Sequence, residues 1–461
     1  MLLSFKKIIY SIFILCALTI SGLQAQPNLN KVKENVHQRI ADSDILGASI
    51  AYIYPDGHTQ FISEGYLSKD KKKRVTKNTI FEIGSITKTF TALILARLVE
   101  QKKVALDDPI DKFLPDSVHA PSYQGQKISL QDLATHTSGL PRLPSNFSPK
   151  NRLNPYADYS IHDLYEFLDT YGLKQTPGSV YEYSNLGMGL LGHLLEIASH
   201  QSYAQLLQKY ITNPLEMNDT EIQVTGNKKN RLAAPYNYGD PVEHWDFPTL
   251  TGAGAIRSTT NDLIKYMKGQ MGIQGSDMEA AMEMTHKIHF NAGEGNIDGI
   301  GLAWIRAAKR DTLFWHNGQT GGFHSFIGWN REKHVGVVVL ANGTDNTDDI
   351  GFHLLDPDYP LKKIKRSISL SPQQLSGLVG RYKVNSRISY FIIRKGDKLY
   401  FQVTGQPKIR FYPESPTHFF CKKVPAEIEF SKGLNGEIKK VTLLQNGRKF
   451  EGTKVSSKVT K

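Results

Sequence analysis

Residues 81–91 read FEIGSITKTFT and contain the pattern Ser-x-x-Lys at Ser85 and Lys88. An apolar run precedes Ser85, and apolar residues recur at helical spacing as far as residue 101, which predicts a helix that begins at Ser85. Three residues make about one helical turn, so the Lys88 amine comes within reach of the Ser85 hydroxyl. A serine is a weak nucleophile until a base removes its proton. The alternative role for Ser85 is to cap the helix.

A second motif, Tyr183-Ser184-Asn185, is the only Tyr-x-Asn in the chain. A tyrosine beside a lysine and a serine can have a lowered pKa and act as a general base, while Asn185 can hold a substrate carbonyl. The alternative is an ordinary loop tripeptide. The glycine pattern that follows at residues 187–192 lacks the preceding strand of a dinucleotide site, so we interpret its glycines as positions of close helix packing.

A third segment, residues 315–323, reads WHNGQTGGF. We interpret it as a glycine-rich turn that leads into a strand, with backbone N–H groups that can form an oxyanion hole. The alternative is a plain hairpin turn. Patterns typical of zinc proteases, P-loops and the complete nucleophile elbow do not occur in the sequence, and its His pairs lack carboxylate or Cys partners. We therefore predict no metal site and no cofactor.

Strand patterns occur towards both ends of the first 356 residues, with helical patterns between them. The strand patterns lie at residues 46–54, 61–66, 302–305, 323–329 and 335–340. The helical patterns include residues 161–171, 186–199 and 203–211. This order predicts an α+β fold in which a helical region interrupts the sheet in sequence. From residue 372 onwards, short strand patterns separated by glycines predict a small all-β module.

In this order, the three motifs resemble those of the class C β-lactamase family, which includes penicillin-binding proteins, D-amino-acid peptidases and lactamase-like carboxylesterases. The resemblance extends over roughly residues 45 to 345. Its further blocks are residues 106–109 (LDDP), 135–141 (THTSGLP), 214–217 (PLEM) and the Gly-Gly-Phe at 321–323. It implies a β-lactamase/transpeptidase-like fold, with an antiparallel sheet flanked by helices, an all-helical subdomain and the site between them.

The resemblance also implies roles for individual residues. Ser85 would attack a carbonyl to give an acyl-enzyme, and Lys88 and Tyr183 would share the acid–base work. Asn185 would orient Lys88 and the substrate amide, and the backbone N–H groups of Ser85 and Gln319 would form the oxyanion hole. Water would then release the acyl group, activated through Tyr183.

The third motif departs from the family pattern. Where many β-lactamases and peptidases of the family have Lys-Thr/Ser-Gly, this chain has His316-Asn317-Gly318. An unperturbed histidine is mostly neutral at pH 7, whereas a lysine is charged and attracts a substrate carboxylate. We therefore expect weak β-lactam turnover and a preference for esters or D-configured amides that depend less on a free carboxylate.

These observations predict a secreted serine hydrolase that cleaves amide bonds of the β-lactam or D-amino-acid peptide type in a small-molecule or peptide substrate. The alternatives are a lactamase-like carboxylesterase and a penicillin-binding protein that acylates without fast turnover. The predicted segments are a signal peptide (1–25), a β-lactamase-like serine hydrolase domain (26–356), a linker (357–371) and a small β-barrel-like module (372–461). The sequence leaves the oligomeric state open.

The signal peptide prediction rests on a basic start, an apolar core and a small-residue cleavage site. Lys6 and Lys7 precede an apolar stretch at residues 8–20, and residues 23–25 read LQA. We therefore expect export to the periplasm or to the cell exterior. Of the two cysteines, only Cys421 lies beyond this segment.

The net charge of +12 is concentrated in the C-terminal module. Residues 372–461 contain 18 Lys and Arg against 6 Asp and Glu, whereas the rest of the chain is nearly neutral. Nucleic acid is therefore not a predicted partner of the hydrolase region. The basic module either has a simple solvated surface or attaches electrostatically to an anionic envelope surface.

Overall fold

An eight-stranded antiparallel sheet forms the centre of the hydrolase region. The computed structural model describes residues 27–70, 72–275 and 277–457, so the predicted signal peptide lies outside the described residues. The strands up to residue 341 are β1 (Gly47–Ile53), β2 (Thr59–Gly65), β3 (Ile80–Glu82), β4 (Ser122–Tyr123), β5 (Gln126–Lys127), β6 (Tyr236–Asn237), β7 (Asp240–Pro241), β8 (Arg257–Thr259), β9 (Phe290–Glu294), β10 (Ile297–Ile300), β11 (Ile305–Ala307), β12 (Arg310–Gln319), β13 (His324–Asn330) and β14 (Val335–Ala341). The large sheet has the order β2-β1-β14-β13-β12-β11-β10-β9.

The sheet joins strands from the two ends of the hydrolase region. Strand β1 pairs with β14, with Ala51 opposite Val338, and every residue of both strands is buried. Strands β1, β2, β13 and β14 lie where the sequence predicts strands. The predicted α+β fold with a sequence-split sheet is therefore confirmed.

Helices cover the sheet and form the region between its two halves. They are α1 (Leu29–Ala41), α2 (Thr87–Glu100), α3 (Leu130–Ala134), α4 (Ile161–Thr170), α5 (Asn185–Ser199), α6 (Tyr203–Leu207), α7 (Thr251–Gly254), α8 (Thr260–Gln270), α9 (Glu279–His286), α10 (Asp348–Leu355) and α11 (Pro372–Leu378). Helix α2 is buried on all sides from Thr87 to Ala96, because it runs through the core. The predicted helix at 203–211 is α6 followed by a π-helical turn at Gln208–Thr212.

Glycines in α5 allow the close packing that the sequence predicts. A Cβ atom on Gly189 would lie 2.6 Å from the side chain of Leu250. A Cβ atom on Gly192 would lie 3.0 Å from the Cα atom of Gly252 in α7. Helix α7 can therefore lie directly against α5, and it brings the backbone oxygen of Ala253 into the core.

One strand prediction and one turn prediction near residue 310 are only partly right. The apolar run 302–305 is a tight turn up to Trp304 and enters a strand only at Ile305, where β11 begins. In this turn the Gly301 N–H donates to the Trp304 carbonyl, and Ala303 has φ +62°. Trp304 is completely buried, which accounts for the apolar pattern. The glycine-rich segment is a turn only at its end, because strand β12 continues as far as Gln319.

The C-terminal region is a closed eight-stranded barrel, which confirms the predicted all-β module. Its strands are β15 (Gly380–Lys383), β16 (Ser389–Lys395), β17 (Lys398–Val403), β18 (Ile409–Pro413), β19 (His418–Phe420), β20 (Ala426–Lys432), β21 (Ile438–Gln445) and β22 (Arg448–Ser456). The barrel has its own core, which includes Tyr382, Phe419 and Ile428. In the part of the chain that the structure describes, we find no helix long and apolar enough to cross a membrane.

Candidate active site

Ser85 lies in a tight turn between strand β3 and helix α2. Residues Gly84–Ile86 form a single 3-10 turn, and Gly84 has φ +49°, a conformation that favours glycine. A Cβ atom on Gly84 would lie 2.7 Å from the backbone nitrogen of Gln319, so the turn is held against strand β12. Helix α2 begins at Thr87 and has no side-chain cap, so the capping role considered for Ser85 does not occur.

Lys88 is completely buried, and three oxygen atoms surround its amine. The Nζ atom lies 2.8 Å from Ser85 Oγ, 3.0 Å from Asn185 Oδ1 and 2.7 Å from the Ala253 carbonyl oxygen. Burial, and secondarily the positive charge of Arg142, lower the pKa of Lys88 well below its usual value. A neutral amine has two N–H groups and one lone pair. It can therefore donate to the amide and carbonyl oxygens and accept the Ser85 proton.

Tyr183 faces the same serine from the turn that precedes α5. Its hydroxyl is hydrogen-bonded to Ser85, and its ring centre lies 5.0 Å from Lys88 Nζ. The expected lowering of its pKa is wrong. Burial raises the pKa of Tyr183 to about 12, although the hydrogen bond with Ser85 and the charge of Arg142 act in the opposite direction. Tyr183 is therefore protonated at neutral pH and is suited to deliver a proton.

The turn at residues 183–185 is held by the loop that precedes α4. The His136 ring lies 4.4 Å from the Tyr183 ring, and its Nδ1 atom accepts a hydrogen bond from the Ser184 N–H. The Ser184 hydroxyl accepts from the Gly187 N–H and caps α5. His136 has φ +59°, which is unusual for a residue other than glycine. The positions of Tyr183 and Asn185 thus depend on this loop.

The Asn185 side chain connects Lys88 to the helical region. Its Oδ1 atom accepts from Lys88, and its Nδ2 atom donates to the Tyr156 hydroxyl at 3.0 Å. These two contacts fix the orientation of the amide. The predicted contact between Asn185 and Lys88 is thus present in the structure.

His316 is buried in strand β12 and is uncharged at neutral pH. It is 1% exposed, its Nδ1 atom donates to the Asn317 carbonyl at 2.6 Å, and its Nε2 atom has no hydrogen-bond partner among the described residues. Burial lowers the pKa of His316 to about 3. The site therefore has no positive charge at the position where many relatives have a lysine.

Gly318 allows the end of β12 to approach Ser85. A Cβ atom on Gly318 would lie 2.0 Å from the Ile83 carbonyl and 2.9 Å from the Ser85 backbone nitrogen. The Ser325 hydroxyl donates to the same Ile83 carbonyl at 2.8 Å and holds strand β13 against the turn. Ser85 and Gln319 thus lie side by side, as the predicted oxyanion hole requires.

One open cleft of about 1040 Å³ brings together five of the predicted site residues. They are Ser85, Tyr183, Asn185, Gly318 and Gln319. Sequence reasoning missed several other residues of this cleft. Those with polar or aromatic side chains include Arg142, Tyr156, Trp245, Glu294 and Lys423. Arg142 directly follows the family block 135–141, so its position in the sequence could have identified it as a site residue. Glu294 and Lys423 come from distant parts of the chain and have no such signal.

Comparisons with known proteins show which families the chain is similar to. A family model described as Beta-lactamase matches residues 32–353, and one described as a domain of unknown function (DUF3471) matches residues 365–454. The D-alanyl-D-alanine-carboxypeptidase/endopeptidase AmpH of Escherichia coli (strain K12) is 28% identical over 350 residues, which are 71% of this chain and 89% of that protein.

Two further relatives cover different shares of the chain. A penicillin-binding protein of Bacillus subtilis (strain 168) is 25% identical over 428 residues, 85% of this chain and 91% of that protein. The structure of a β-lactamase/D-alanine carboxypeptidase from Yersinia pestis is 27% identical with a TM-score of 0.60, and the match covers 68% of this chain and 93% of that one. Since the family model spans more than half of the sequence, the chain belongs to the beta-lactamase family and is a serine hydrolase.

Proposed function

We propose that the protein hydrolyses amide bonds through an acyl-enzyme formed on Ser85. The observation that carries the proposal is the Lys88 amine, which lies 2.8 Å from the Ser85 hydroxyl and has a lowered pKa. An uncharged amine at this distance can take the serine proton as the oxygen attacks the substrate carbonyl. The negative charge that develops on the carbonyl oxygen is stabilised by the backbone N–H groups of Ser85 and Gln319.

Collapse of the tetrahedral intermediate breaks the bond to the leaving nitrogen, which needs a proton. Tyr183 is hydrogen-bonded to Ser85 and protonated at neutral pH, so it donates this proton and recovers one from the Lys88 ammonium. The amine leaves, Lys88 is again neutral, and Ser85 carries the acyl group.

Water completes the cycle by the reverse path. It attacks the acyl carbonyl while Lys88, through Tyr183, accepts one of its protons, and that proton returns to the Ser85 oxygen as the acid leaves. This sequence assigns the role of base to Lys88. Tyr183 relays protons and does not act as a tyrosinate.

The proposed substrates are peptides with D-amino acids or β-lactams. The names of relatives from Escherichia coli and Yersinia pestis support this class. Carboxylester hydrolysis is the second candidate, and it is favoured by one observation: the uncharged His316 places no cation at the third motif. A penicillin-binding protein that acylates without fast turnover is the third candidate.

Three probes distinguish these candidates: a fluorescent penicillin, a p-nitrophenyl ester and an N-acetylated D-Ala-D-Ala dipeptide. Turnover of the peptide or the penicillin supports the amidase, turnover of the ester alone supports the esterase, and a stable penicillin adduct supports the acylated receptor. Ser85→Ala should lose at least about 10³-fold in rate. Ser145→Ala, which changes an exposed serine of a nearby loop, is the matched control. Equal activity of the wild type and Ser85→Ala would overturn the proposal.

We further propose that the protein is exported and that its basic barrel attaches to an anionic envelope surface. The N-terminal pattern supports export, and the excess of Lys and Arg in residues 372–461 supports attachment. N-terminal sequencing of the protein from cell fractions tests export, because a processed terminus after Ala25 is required. Co-sedimentation with anionic vesicles tests attachment, which requires binding that weakens as salt is raised.

A further inference from the structure

The C-terminal barrel contributes a charged side chain to the cleft that contains Ser85. Lys423 lies in the loop between β19 and β20 and lines the same cleft as Ser85 and Gln319. Its side chain is exposed, and none of the described carboxylates forms an ion pair with it. An unpaired ammonium on the wall of a substrate cleft is available to a negatively charged ligand.

The neighbouring residue, Lys422, fixes the loop in this position. Its ammonium is nearly buried and lies 3.0 Å from Asp42 Oδ2 and 2.6 Å from Asp44 Oδ1, both in the hydrolase region. It also lies 4.4 Å from the ring centre of Tyr412 in the barrel. Lys423 therefore follows a residue that two buried ion pairs hold in place.

A second contact holds the same loop from the side of the cleft. The Tyr238 hydroxyl donates to the Lys422 carbonyl at 2.9 Å, and Tyr238 itself lines the cleft. The hairpin that carries Tyr238 is attached to the turn that follows β12, because the Tyr236 N–H donates to the Gly322 carbonyl. An unbroken set of contacts thus connects Lys423 to the segment that follows Gln319.

The charges around the cleft favour an anion. Arg142 and Lys423 are the cations among the described lining residues, and Glu294 is the carboxylate. The Arg142 guanidinium lies 5.0 Å from the Tyr183 ring centre and also forms no ion pair with a described carboxylate. Since His316 is uncharged, these two side chains supply the positive charge on the lining of the cleft.

We propose that Lys423 is a specificity-determining residue that binds a carboxylate of the substrate, so that the barrel forms part of the active site and selects acidic peptides. This inference rests on the proposed amide hydrolysis at Ser85. It places carboxylate recognition on the wall of the cleft and not at the third motif. A substrate without such a carboxylate gains nothing from Lys423.

Two pairs of substrates that differ by one carboxylate test the inference in the full-length protein. The first pair is the N-succinyl and N-acetyl forms of D-alanine p-nitroanilide, and the second is N-acetyl-D-Ala-D-Ala and its C-terminal amide. Lys423→Ala should lower the ratio of kcat/KM between charged and neutral members about 5-fold in at least one pair. Lys423→Arg should keep the ratio.

Lys449→Ala is the matched control, because it removes an exposed barrel lysine that does not line the cleft. Raising NaCl from about 50 mM to about 500 mM should lower the same ratio in the wild type and change it less in Lys423→Ala. If Lys423→Ala leaves both ratios unchanged while Ser85→Ala is inactive, the inference fails and the proposed function stands. If activity does not depend on Ser85, the proposed function fails and the inference fails with it.

Discussion

Lys88 Nζ lies 2.8 Å from Ser85 Oγ, and no described carboxylate forms an ion pair with this buried lysine. The arrangement lowers the pKa of the amine instead of stabilising its charge. A lowered pKa increases the uncharged fraction of the amine, and only the uncharged amine can accept the serine proton.

Replacement of Lys88, the proposed base, should greatly slow acylation of Ser85. Lys88→Met should slow acylation of Ser85 by a fluorescent penicillin by about 10²- to 10⁴-fold, because Tyr183, the other side chain beside Ser85, is protonated at neutral pH and cannot replace the amine as the base. Stopped-flow fluorescence measures the rate. Lys449→Met is the control and should acylate like the wild type; equal rates in Lys88→Met would exclude Lys88 as the base.

The same substitution should change how stability depends on pH. A lysine of the unfolded chain holds its proton up to about pH 10.4. Lys88 of the folded protein loses its proton at a lower pH, so the unfolded state binds more protons within this window. The stability of the wild type relative to Lys88→Met should therefore rise as the pH is raised towards 10. Urea unfolding of both proteins between pH 7 and 10 measures this difference, and a constant difference would contradict the lowered pKa.

Tyr183 should act through its proton. Tyr183→Phe removes the hydroxyl but retains the ring against His136 and Lys88, so kcat should fall about 10²-fold or more with little change in stability. Because the pKa of Tyr183 is about 12, activity of the wild type should show no increase between pH 8 and 10 from tyrosinate formation. If the activity of the wild type rises between pH 8 and 10 and this rise disappears in Tyr183→Phe, tyrosinate is the active form.

A charge at the third motif should alter substrate choice. His316→Lys should raise activity on carboxylate-bearing substrates, and nitrocefin hydrolysis measures it. If the rate stays flat or falls, the argument from the missing lysine is wrong. His316→Asn is the neutral control. Since the pKa of His316 is about 3, the pH profile of the wild type should have no limb near 6.5 from this residue.

Position 318 should tolerate no side chain, because Ser85 lies directly against strand β12 at this point. In Gly318→Ala the new Cβ atom would meet the Ile83 carbonyl and the Ser85 backbone, so the oxyanion donors must move. We expect a loss of about 10²- to 10³-fold in kcat. Gly377→Ala is the matched control, since no atom lies within 4 Å of its added Cβ. If Gly318→Ala is fully active, the donors are elsewhere.

The contact between the barrel and the hydrolase region should respond to pH. Burial raises the pKa of Asp44 to about 6, although attraction to Lys422 acts in the opposite direction. The folded protein therefore holds a proton that the unfolded chain has lost between about pH 4 and 6, and stability should fall as the pH rises through this range. Relative to Asp44→Asn, the wild type should lose on the order of 2–3 kcal/mol between pH 4 and 7.

Urea unfolding at several pH values measures this loss. Asp397→Asn, a change at an exposed aspartate of the barrel, should leave the pH dependence of the wild type intact. A wild type that becomes more stable than Asp44→Asn as the pH rises would show that the ion pair with Lys422 outweighs the cost of burial.

Local patterns predicted the elements whose contacts are close in sequence. The strands β1 and β2 follow from β-rich runs on either side of a turn signal at residues 55–57, and the helix after Ser85 follows from helical spacing. The strand character of residues 315–319 was missed, because the glycine that reads as a turn signal, Gly318, is required by packing against Ser85. The raised pKa of Tyr183 was also missed, because burial outweighs the neighbours that the sequence places beside it.

Long-range contacts could not be predicted from patterns. Lys423 reaches the cleft only because Lys422 pairs with Asp42 and Asp44 at the other end of the chain. No periodicity or spacing in the sequence relates these residues. The position of the barrel against the hydrolase region therefore follows only from the three-dimensional structure. The family motifs end near residue 345, and no motif beyond that point predicts this contact.

The pairing of β1 with β14 has a consequence for the order of folding. Strand β1 emerges early in synthesis, but its partner is made only after the entire helical region. Contacts between residues so distant in sequence form slowly, because a long loop must close before the pairing stabilises it. We therefore expect the helical region to become structured first and the large sheet to close late. Ser85 and Gln319, which lie on opposite sides of that closure, would then come together only near the end of folding.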